Sequence, residues 1–196
     1  MEHYYSSKPT TSHDINHIDY VLGKHTLKFT TDAGVFSKNR IDFGSNLLIN
    51  SIPNLEGRVL DLGCGYGPIG ISLAILNRSI YVDMVDINER AVTLAQENIT
   101  KNSITNAKAF VSDGFSNVTD KFSAIVSNPP IRAGKKLIYM LFEQSRDYLY
   151  DDGSLYIVIQ KKQGAPSAIK KLEQVFGNCD ILARKKGYLV LKSTKQ

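Results

Sequence analysis

From residue 58 to the end of the chain, short apolar runs alternate with segments of helical pattern. The first apolar run, Arg58–Leu62, stops at a glycine-rich stretch. Pro68–Leu76 follows, with a proline at its first helical position. Strands that alternate with helices pair in parallel, and the helices then cover both faces of the sheet. The pattern therefore predicts an α/β fold with a doubly wound, mostly parallel sheet.

The same alternation continues to the last residues. Strands are predicted over 79–85, 107–111, 122–127, 154–160, 179–183 and 188–191, and helices over 88–101, 135–149 and 165–176. Asn88 is the expected N-cap of its helix, and Asp151–Gly153 is expected to be a turn. Because only a few residues around Lys185–Gly187 separate the last two strands, these two strands must be antiparallel.

A β-hairpin is predicted before this core. Its strands cover 19–22 and 26–30, and Gly23-Lys24 between them indicates the turn. A short helix is expected from Asp42, and Pro53-Asn54 ends it.

The chain is accordingly divided into an extension, residues 1–52, and a core domain, residues 53–196. Residues 1–17 are polar and irregular, so we expect them to form a poorly ordered lead-in. The 196 residues suffice for one such domain but not for two independent ones.

The composition excludes several classes of protein. No stretch approaches the ~18 apolar residues of a membrane span, and the start lacks the basic and apolar segments of a secretory signal. Cys64 and Cys179 lack the spacing of a metal site or a disulfide framework, and His13 and His17 have no further ligands nearby. We therefore expect a cytoplasmic protein with no membrane partner and no metal. The sequence does not fix its oligomeric state.

Three glycines follow the strand that contains Asp61 and precede the next helix: Gly63, Gly65 and Gly67. Glycine adopts positive φ and lets the backbone approach a ligand, and ligands of such sheets bind at the carboxyl ends of the strands. The spacing is G-x-G-x-G, not the G-x-G-x-x-G of a dinucleotide site, and the Asp61 carboxylate would repel a phosphate. A ligand that carries an ammonium and a sulfonium group suits this carboxylate. We therefore predict S-adenosylmethionine as the cofactor; the alternative is a tight structural turn.

Acidic residues end the next two strands. Asp86 is predicted to accept both ribose hydroxyls of the cofactor, with Ile87 beside it; its alternative role is to cap the next helix beside Asn88. Asp113, followed by Gly114, is predicted to accept the adenine amino group; its alternative role is that of a turn residue.

Asn128-Pro129-Pro130 follows the fourth predicted strand of the core. Two consecutive prolines fix φ and donate no ladder hydrogen bond, so the sheet cannot continue and a rigid loop with free carbonyls remains. The alternative is a plain turn that ends the strand, which Asn-Pro also favours.

These motifs, in this order over residues 58–160, resemble the class I S-adenosylmethionine-dependent methyltransferases. The resemblance implies a seven-stranded, Rossmann-like sheet with a C-terminal antiparallel hairpin. In the N/D-P-P-x members, the Asn side-chain oxygen and the carbonyl near the first proline accept hydrogen bonds from a planar NH2 group. It thus implies catalytic roles for Asn128, Pro129 and Pro130, with Asn128 beside the cofactor. Such an amine has a delocalised lone pair, and holding both N–H groups aims that lone pair at the methyl group.

Residues 36–45 and 128–135, together with Tyr4-Tyr5, resemble the ribosomal RNA small subunit (guanine-N2) methyltransferase C family. This resemblance implies methylation of a guanine N2 in small-subunit ribosomal RNA, with Asp42 and Gly44 bordering the pocket. Long members of that family carry an extra N-terminal domain of the same fold, whereas this sequence contains only the catalytic one.

The substrate contacts are expected at the edge of this pocket. Position 131, where N6-adenine and glutamine methyltransferases place an aromatic residue, is an isoleucine, so another aromatic side chain must contact the base. The expected substrate-binding residues are Phe36, Phe43, Ile131, Arg132 and Lys135, with Tyr66 as a further aromatic candidate.

The net charge of +5 and the pI near 9.1 favour a polyanionic partner, here ribosomal RNA or the small ribosomal subunit. The basic clusters away from the Asn-Pro-Pro loop, among them Lys161-Lys162 and Arg184–Lys186, are expected to be solvated faces. Two alternatives remain. One is a protein-glutamine or DNA-amine methyltransferase that uses the same Asn-Pro-Pro motif, and the other is a cofactor-binding module without catalysis.

Overall fold

The computed structural model describes residues 11–196, so the resemblance at Tyr4-Tyr5 lies outside the described residues. The elements along the chain are β1 (Asn16–Leu22), β2 (His25–Thr31), α1 (Phe43–Ser51), β3 (Arg58–Leu62), α2 (Pro68–Leu76), β4 (Tyr81–Asp86), α3 (Glu89–Lys101), β5 (Ala107–Val111), β6 (Phe122–Ser127), α4 (Lys135–Asp147), β7 (Leu149–Gln160), α5 (Ala165–Phe176), β8 (Asp180–Lys185) and β9 (Tyr188–Thr194).

Seven of the strands form one sheet in the order β5-β4-β3-β6-β7-β9-β8. The first five of these pair in parallel, while β9 runs antiparallel to both β7 and β8. The mostly parallel, seven-stranded sheet with its C-terminal antiparallel hairpin is therefore confirmed. The predicted N-terminal hairpin is present as a separate sheet of β1 and β2. Within residues 11–196, none of the helices has the length and apolar character needed to cross a membrane.

The predicted turn at Asp151–Gly153 is wrong, because these residues lie inside β7. Phe122 of β6 pairs with Leu149, whereas Ala124 pairs with Ser154, so the extra residues of β7 bulge out of register. Asp152 has a positive φ of 65° within this bulge. An Asp-Asp-Gly sequence suits such a backbone as well as it suits a turn, which explains the error.

Two hydrophobic clusters fill the two sides of the large sheet, because successive residues of a strand point to opposite faces. On β3, Val59 belongs to one cluster and Leu60 to the other. The first cluster takes side chains from α1, α2, α3 and the β1–β2 hairpin, and the second takes them from α4 and α5. Helices thus cover both faces of the sheet, as the sequence predicts.

Two asparagines one helical turn apart, Asn98 in α3 and Asn102 at its C-cap, hold the hairpin against the core. Asn98, fully buried, accepts a hydrogen bond from Thr30 N at 2.7 Å and donates to Thr30 O and Tyr66 O, both at 2.9 Å. Asn102 makes the same pair of bonds with Lys28 N and Lys28 O, each at 2.8 Å and exposed to solvent. The outer edge of β2 is therefore satisfied by side chains, and Tyr66 links it to the glycine-rich loop.

Candidate active site

A cavity of about 510 Å³ opens at the carboxyl ends of the parallel strands. The loops after β3, β4, β5 and β6 form one side of it, and residues 35–45 and the start of β9 form the other. This is the edge at which open α/β sheets bind their ligands.

The backbone of the loop after β3 approaches this cavity closely. Gly63 and Gly65 line it and have φ values of 75° and 57°. A Cβ atom built on either glycine would meet no protein atom within 4 Å, so both face open space. Gly63 N and Cys64 N both donate to Val85 O at 2.8 Å, which fixes the loop to β4. The two glycines thus form a rigid surface that a ligand can approach.

Gly67, the third predicted glycine of the site, does not line the cavity. It precedes α2 with a φ of 93°, and a Cβ there would lie 2.9 Å from the Ile71 side chain. Its role is therefore to begin the helix. The predicted direct contact with the cofactor is not what the geometry supports.

Asp61 lies beneath the glycine-rich loop and does not itself line the cavity. Its Oδ2 accepts a hydrogen bond from Gly70 N at 2.8 Å, while its Oδ1 has no partner among the described residues. Burial, against the opposing effect of the Gly70 hydrogen bond, raises the pKa of Asp61 to about 7, and the nearby Asp86 charge adds to this. The carboxylate therefore stands in an environment that a positive charge above it would stabilise.

Asp86 lines the cavity, and its carboxylate is already held by the backbone. Oδ2 accepts from Gly65 N at 2.8 Å and Oδ1 accepts from Asn88 N at 2.9 Å. Burial raises the pKa of Asp86 despite these bonds. The capping role belongs to Asn88, which accepts from Arg90 N and Ala91 N and so begins α3 as predicted. A carboxylate has about four acceptor positions, so Asp86 keeps acceptor capacity for a ligand hydroxyl.

The predicted neighbours of the adenine and ribose also line the cavity: Ile87, Asp113 and Gly114. Asp113 also serves as a turn residue, since its carbonyl accepts from Ser116 N at 3.1 Å and its own N–H donates to Ser116 Oγ at 3.1 Å. Its side chain is exposed and free to accept from a ligand at the mouth of the cavity.

The side chain of Asn128 has a defined orientation. Its Nδ2 donates to Ser45 Oγ at 3.0 Å and lies 3.4 Å from Asp42 Oδ2. A carboxylate only accepts hydrogen bonds, so the NH2 end of the amide faces the 42–45 segment and the oxygen end faces away from it. Asn128, Pro129 and Pro130 all line the cavity. The site therefore presents an amide oxygen, not an amide N–H, to whatever enters.

The segment that orients Asn128 is the start of α1. Asp42 caps this helix, and its Oδ2 accepts from Gly44 N at 2.8 Å and Ser45 N at 3.3 Å. Gly44 does not line the cavity, but a Cβ on it would lie 2.8 Å from both Asp42 Oδ2 and the ring of Tyr188. A side chain at position 44 would displace the residues that hold Asn128.

Most of the predicted substrate contacts reach the cavity, and two do not. Phe36, Tyr66, Ile131 and Arg132 line it. The ring of Phe43 instead packs on Tyr188, with ring centroids 5.4 Å apart, and Lys135 lies outside the lining at the exposed start of α4. Phe43 and Lys135 thus lie outside the cavity lining, and contact of either residue with the substrate stays a prediction.

Several polar and aromatic residues of the lining were not predicted from the sequence, among them Ser45, Gln160, Gln163 and Tyr188. Gln160 ends β7, Gln163 follows it and Tyr188 begins β9, far along the chain from the glycine-rich loop. Only the tertiary fold brings them to the site. The hairpin turn before Tyr188 was the one local signal available.

These residues fit S-adenosylmethionine on three counts. Gly63 and Gly65 leave open space over their backbone, Asp86 keeps acceptor capacity for a hydroxyl, and Asp61 has an unpaired oxygen beneath the loop for a positive charge. The cavity of about 510 Å³ falls in the usual size range of cofactor sites.

Comparison with known proteins finds relatives over most of the chain. The model of the methyltransferase small domain family matches residues 26–192. The uncharacterized protein YbxB of Bacillus subtilis is 51% identical over 99% of this chain and 98% of its own length. Ribosomal RNA small subunit methyltransferase C of Aliivibrio fischeri is 35% identical over 87% of this chain. The T. thermophilus 16S rRNA guanine-N2 methyltransferase RsmC, solved with AdoMet and guanosine, superposes on 96% of this chain at 26% identity and a TM-score of 0.83. This chain spans about half the length of the last two, 50% and 52%.

Proposed function

This chain belongs to the methyltransferase small domain family and is an S-adenosylmethionine-dependent methyltransferase, and we propose that its methyl acceptor is a guanine N2 amine in small-subunit ribosomal RNA. The relatives named for this activity are about twice as long as this chain, so the proposed acceptor rests first on the residues of the site itself.

The residues around the glycine-rich loop are proposed to hold the cofactor. Asp86 accepts the ribose hydroxyls, Asp113 accepts the adenine amino group, and the backbone of Gly63 and Gly65 lies against the ligand. Asp61 stabilises its positive charge from beneath the loop. When bound, S-adenosylmethionine supplies a methyl group that its sulfonium makes electrophilic.

The observation that carries the acceptor proposal is the orientation of the Asn128 amide. Ser45 and Asp42 engage its NH2 end, so Oδ1 is the atom offered to the acceptor. The carbonyl of Pro129 accepts from Ile131 N at 2.9 Å and keeps a second lone pair. Two acceptors in a rigid loop suit a planar group with two N–H donors, which is the exocyclic amine of a base or an amide.

Holding both N–H groups draws the nitrogen lone pair out of conjugation and aims it at the methyl group. Positioning of this kind accounts for much of the acceleration of a displacement reaction. The nitrogen would form its new bond to the methyl carbon as the bond from that carbon to the sulfonium breaks. The resulting cationic nitrogen, which is acidic, would then lose a proton to solvent. The Asn128 oxygen stabilises the positive charge that develops on the N–H groups meanwhile.

The choice of guanine in RNA is supported by the walls of the cavity and by the relatives. Ile131 replaces the aromatic residue expected after the motif in N6-adenine and glutamine enzymes, while the rings of Phe36 and Tyr188 line the cavity instead. Arg132 is exposed at the edge of the cavity, where it can contact a phosphate next to the target nucleotide. The curated relatives at 35% identity carry the name of a ribosomal RNA small subunit methyltransferase.

Asn128→Ala tests the proposal directly. We expect it to lower turnover on small-subunit ribosomal RNA by roughly a hundredfold, the usual effect of removing one pre-positioned hydrogen-bonding group. Calorimetry should show unchanged affinity for S-adenosylmethionine, because Asn128 acts on the acceptor. Ser45→Ala, which removes the 3.0 Å partner of the amide, should lower turnover by a smaller factor.

Asn54→Ala, in an exposed loop before β3, is the matched control and should leave turnover unchanged. Normal turnover of Asn128→Ala would contradict the mechanism. A loss of cofactor affinity equal to the loss of turnover would instead assign Asn128 to the cofactor alone.

A further inference from the structure

A second groove, of about 420 Å³, lies beside the active-site cavity and shares Tyr188 with it. Its floor is apolar and includes Ala165, Ile169 and Leu189. Its basic lining residues are Lys161, Arg184, Lys185 and Lys186. No aspartate or glutamate is among the residues that line it.

The positive charges come from two segments that the fold joins. Lys161 N donates to Gly187 O at 2.8 Å, so the connection between β7 and α5 lies against the turn between β8 and β9. We call the five cations of these segments the basic patch: Lys161, Lys162, Arg184, Lys185 and Lys186. All five are exposed, and none forms an ion pair within residues 11–196. Elsewhere Arg58 pairs with two carboxylates and Lys171 pairs with one.

Lys186 occupies a backbone position that disfavours it. Its φ of 48° is left-handed, and Gly187 after it has a φ of 79°. Two-residue turns with this geometry favour asparagine or glycine, because other side chains are strained there. The turn nevertheless places a lysine at its tip, beside the groove. Its Nζ lies 5.2 Å from the centroid of the Phe43 ring, which holds the charge between the groove and the start of α1.

We propose that the basic patch binds the phosphate backbone of the RNA strand whose target nucleotide occupies the active-site cavity; this rests on the proposed RNA substrate. Gln160 and Gln163 line the cavity, and Lys161 between them lines the groove. An RNA strand that leaves the cavity past Tyr188 therefore comes directly into contact with the basic patch. Its phosphates lie against the unpaired cations, and its sugars and base faces lie over the apolar floor.

The start of α5 adds to this surface. Ala165 and Pro166 line the groove, and the helix begins there without a side-chain cap. The unpaired amide groups of its first turn contribute positive partial charge on the side where the lysines lie. The sequence pattern alone predicts that these lysines form solvated faces, whereas in the fold two separate clusters converge beside the site.

The test compares two double variants that each remove two exposed cations. Lys161→Gln/Lys186→Asn removes charge from the patch, and asparagine suits the left-handed position better than lysine does. Arg78→Gln/Lys121→Gln is the control. These two exposed cations precede β4 and β6, so they lie at the amino ends of the strands, whereas the active-site cavity lies at the carboxyl ends. Binding of a fluorescently labelled single-stranded RNA is measured by anisotropy over a series of KCl concentrations.

We expect the patch variant to bind RNA roughly tenfold more weakly at low salt than the control does. The slope of log affinity against log salt should fall by about 0.7 for each lost phosphate contact. Affinity for S-adenosylmethionine should be unchanged, and the melting temperature should not fall.

Equal slopes for the patch variant and the control would overturn the role of the patch while leaving methylation of RNA by the unaltered protein intact. A parallel loss of cofactor affinity or stability would show that the two lysines are structural, which also overturns it. Failure of the unaltered protein to bind RNA in a salt-dependent way would overturn both the patch and the proposed RNA substrate.

Discussion

At the scale of single residues, Asp61 combines complete burial with a carboxylate oxygen that has no partner in the described part of the chain. A buried carboxylate without a compensating charge is unfavourable in the ionised form, which is why its pKa rises to about 7. Without the cofactor, the ionised Asp61 carboxylate therefore lowers the stability of the folded protein. The same carboxylate favours the binding of a cation. This explains why the strand places an acid immediately before the glycine-rich loop.

The sign of the pH effect follows from that pKa. In the unfolded chain Asp61 has its ordinary value of 3.8, so between about pH 4 and 7 the folded state binds the extra proton. The stability that depends on this proton is present below the lower value and is lost as the pH rises through about 7. Asp61→Asn has no such ionisation.

We therefore expect the free energy of unfolding, relative to that of Asp61→Asn, to decrease between about pH 5 and pH 8 in the absence of cofactor. Affinity for S-adenosylmethionine should rise with pH over the same range in the unaltered protein and less steeply in the variant. Urea denaturation and calorimetry at matched pH values measure the two effects. Parallel pH curves for the two proteins would contradict this account of Asp61.

At the scale of elements, α3 and β2 depend on the two asparagines that join them. Asn98 bonds to three buried backbone groups, whereas the two bonds that Asn102 makes to β2 are exposed to solvent. Buried groups left without partners are costly, while exposed ones bond to water. The two side chains are therefore a matched pair that differs in burial.

Asn98→Ala should reduce the free energy of unfolding by roughly 2–4 kcal/mol, and Asn102→Ala by less than about 1 kcal/mol. Urea denaturation measures both. Because Asn98 also holds Tyr66 O in the glycine-rich loop, its variant should bind S-adenosylmethionine more weakly in addition. Equal effects of the two substitutions would show that burial does not set the difference.

Elements with a strong local signal were predicted from the sequence. Pro68 at the start of α2, Asn88 as the cap of α3 and the short link before β9 each impose a structure on their own neighbourhood. The Asp151–Gly153 segment was misassigned because a bulge and a turn use the same residue types. Its conformation depends on the pairing of β7 with β6, and the residues of the segment itself do not specify that pairing.

At the scale of the whole molecule, the site is assembled from segments far apart in the chain. The glycine-rich loop, Asp86, Asp113 and Asn128 follow successive strands of one sheet, so their meeting could be predicted from the order of the elements. The approach of Ser45 to Asn128 could not, because it depends on how α1 packs beside the sheet. The same holds for Tyr188 and for the convergence of the two lysine clusters.

The central claim concerns the chemical group that receives the methyl. The most direct measurement is transfer of labelled methyl from S-adenosylmethionine to naked small-subunit ribosomal RNA and to assembled small subunits, followed by digestion and separation of the nucleosides. The account predicts that the label appears as N2-methylguanosine and disappears when Asn128 is replaced by alanine. Label in N6-methyladenosine, in glutamine of protein, or in no RNA nucleoside would contradict it.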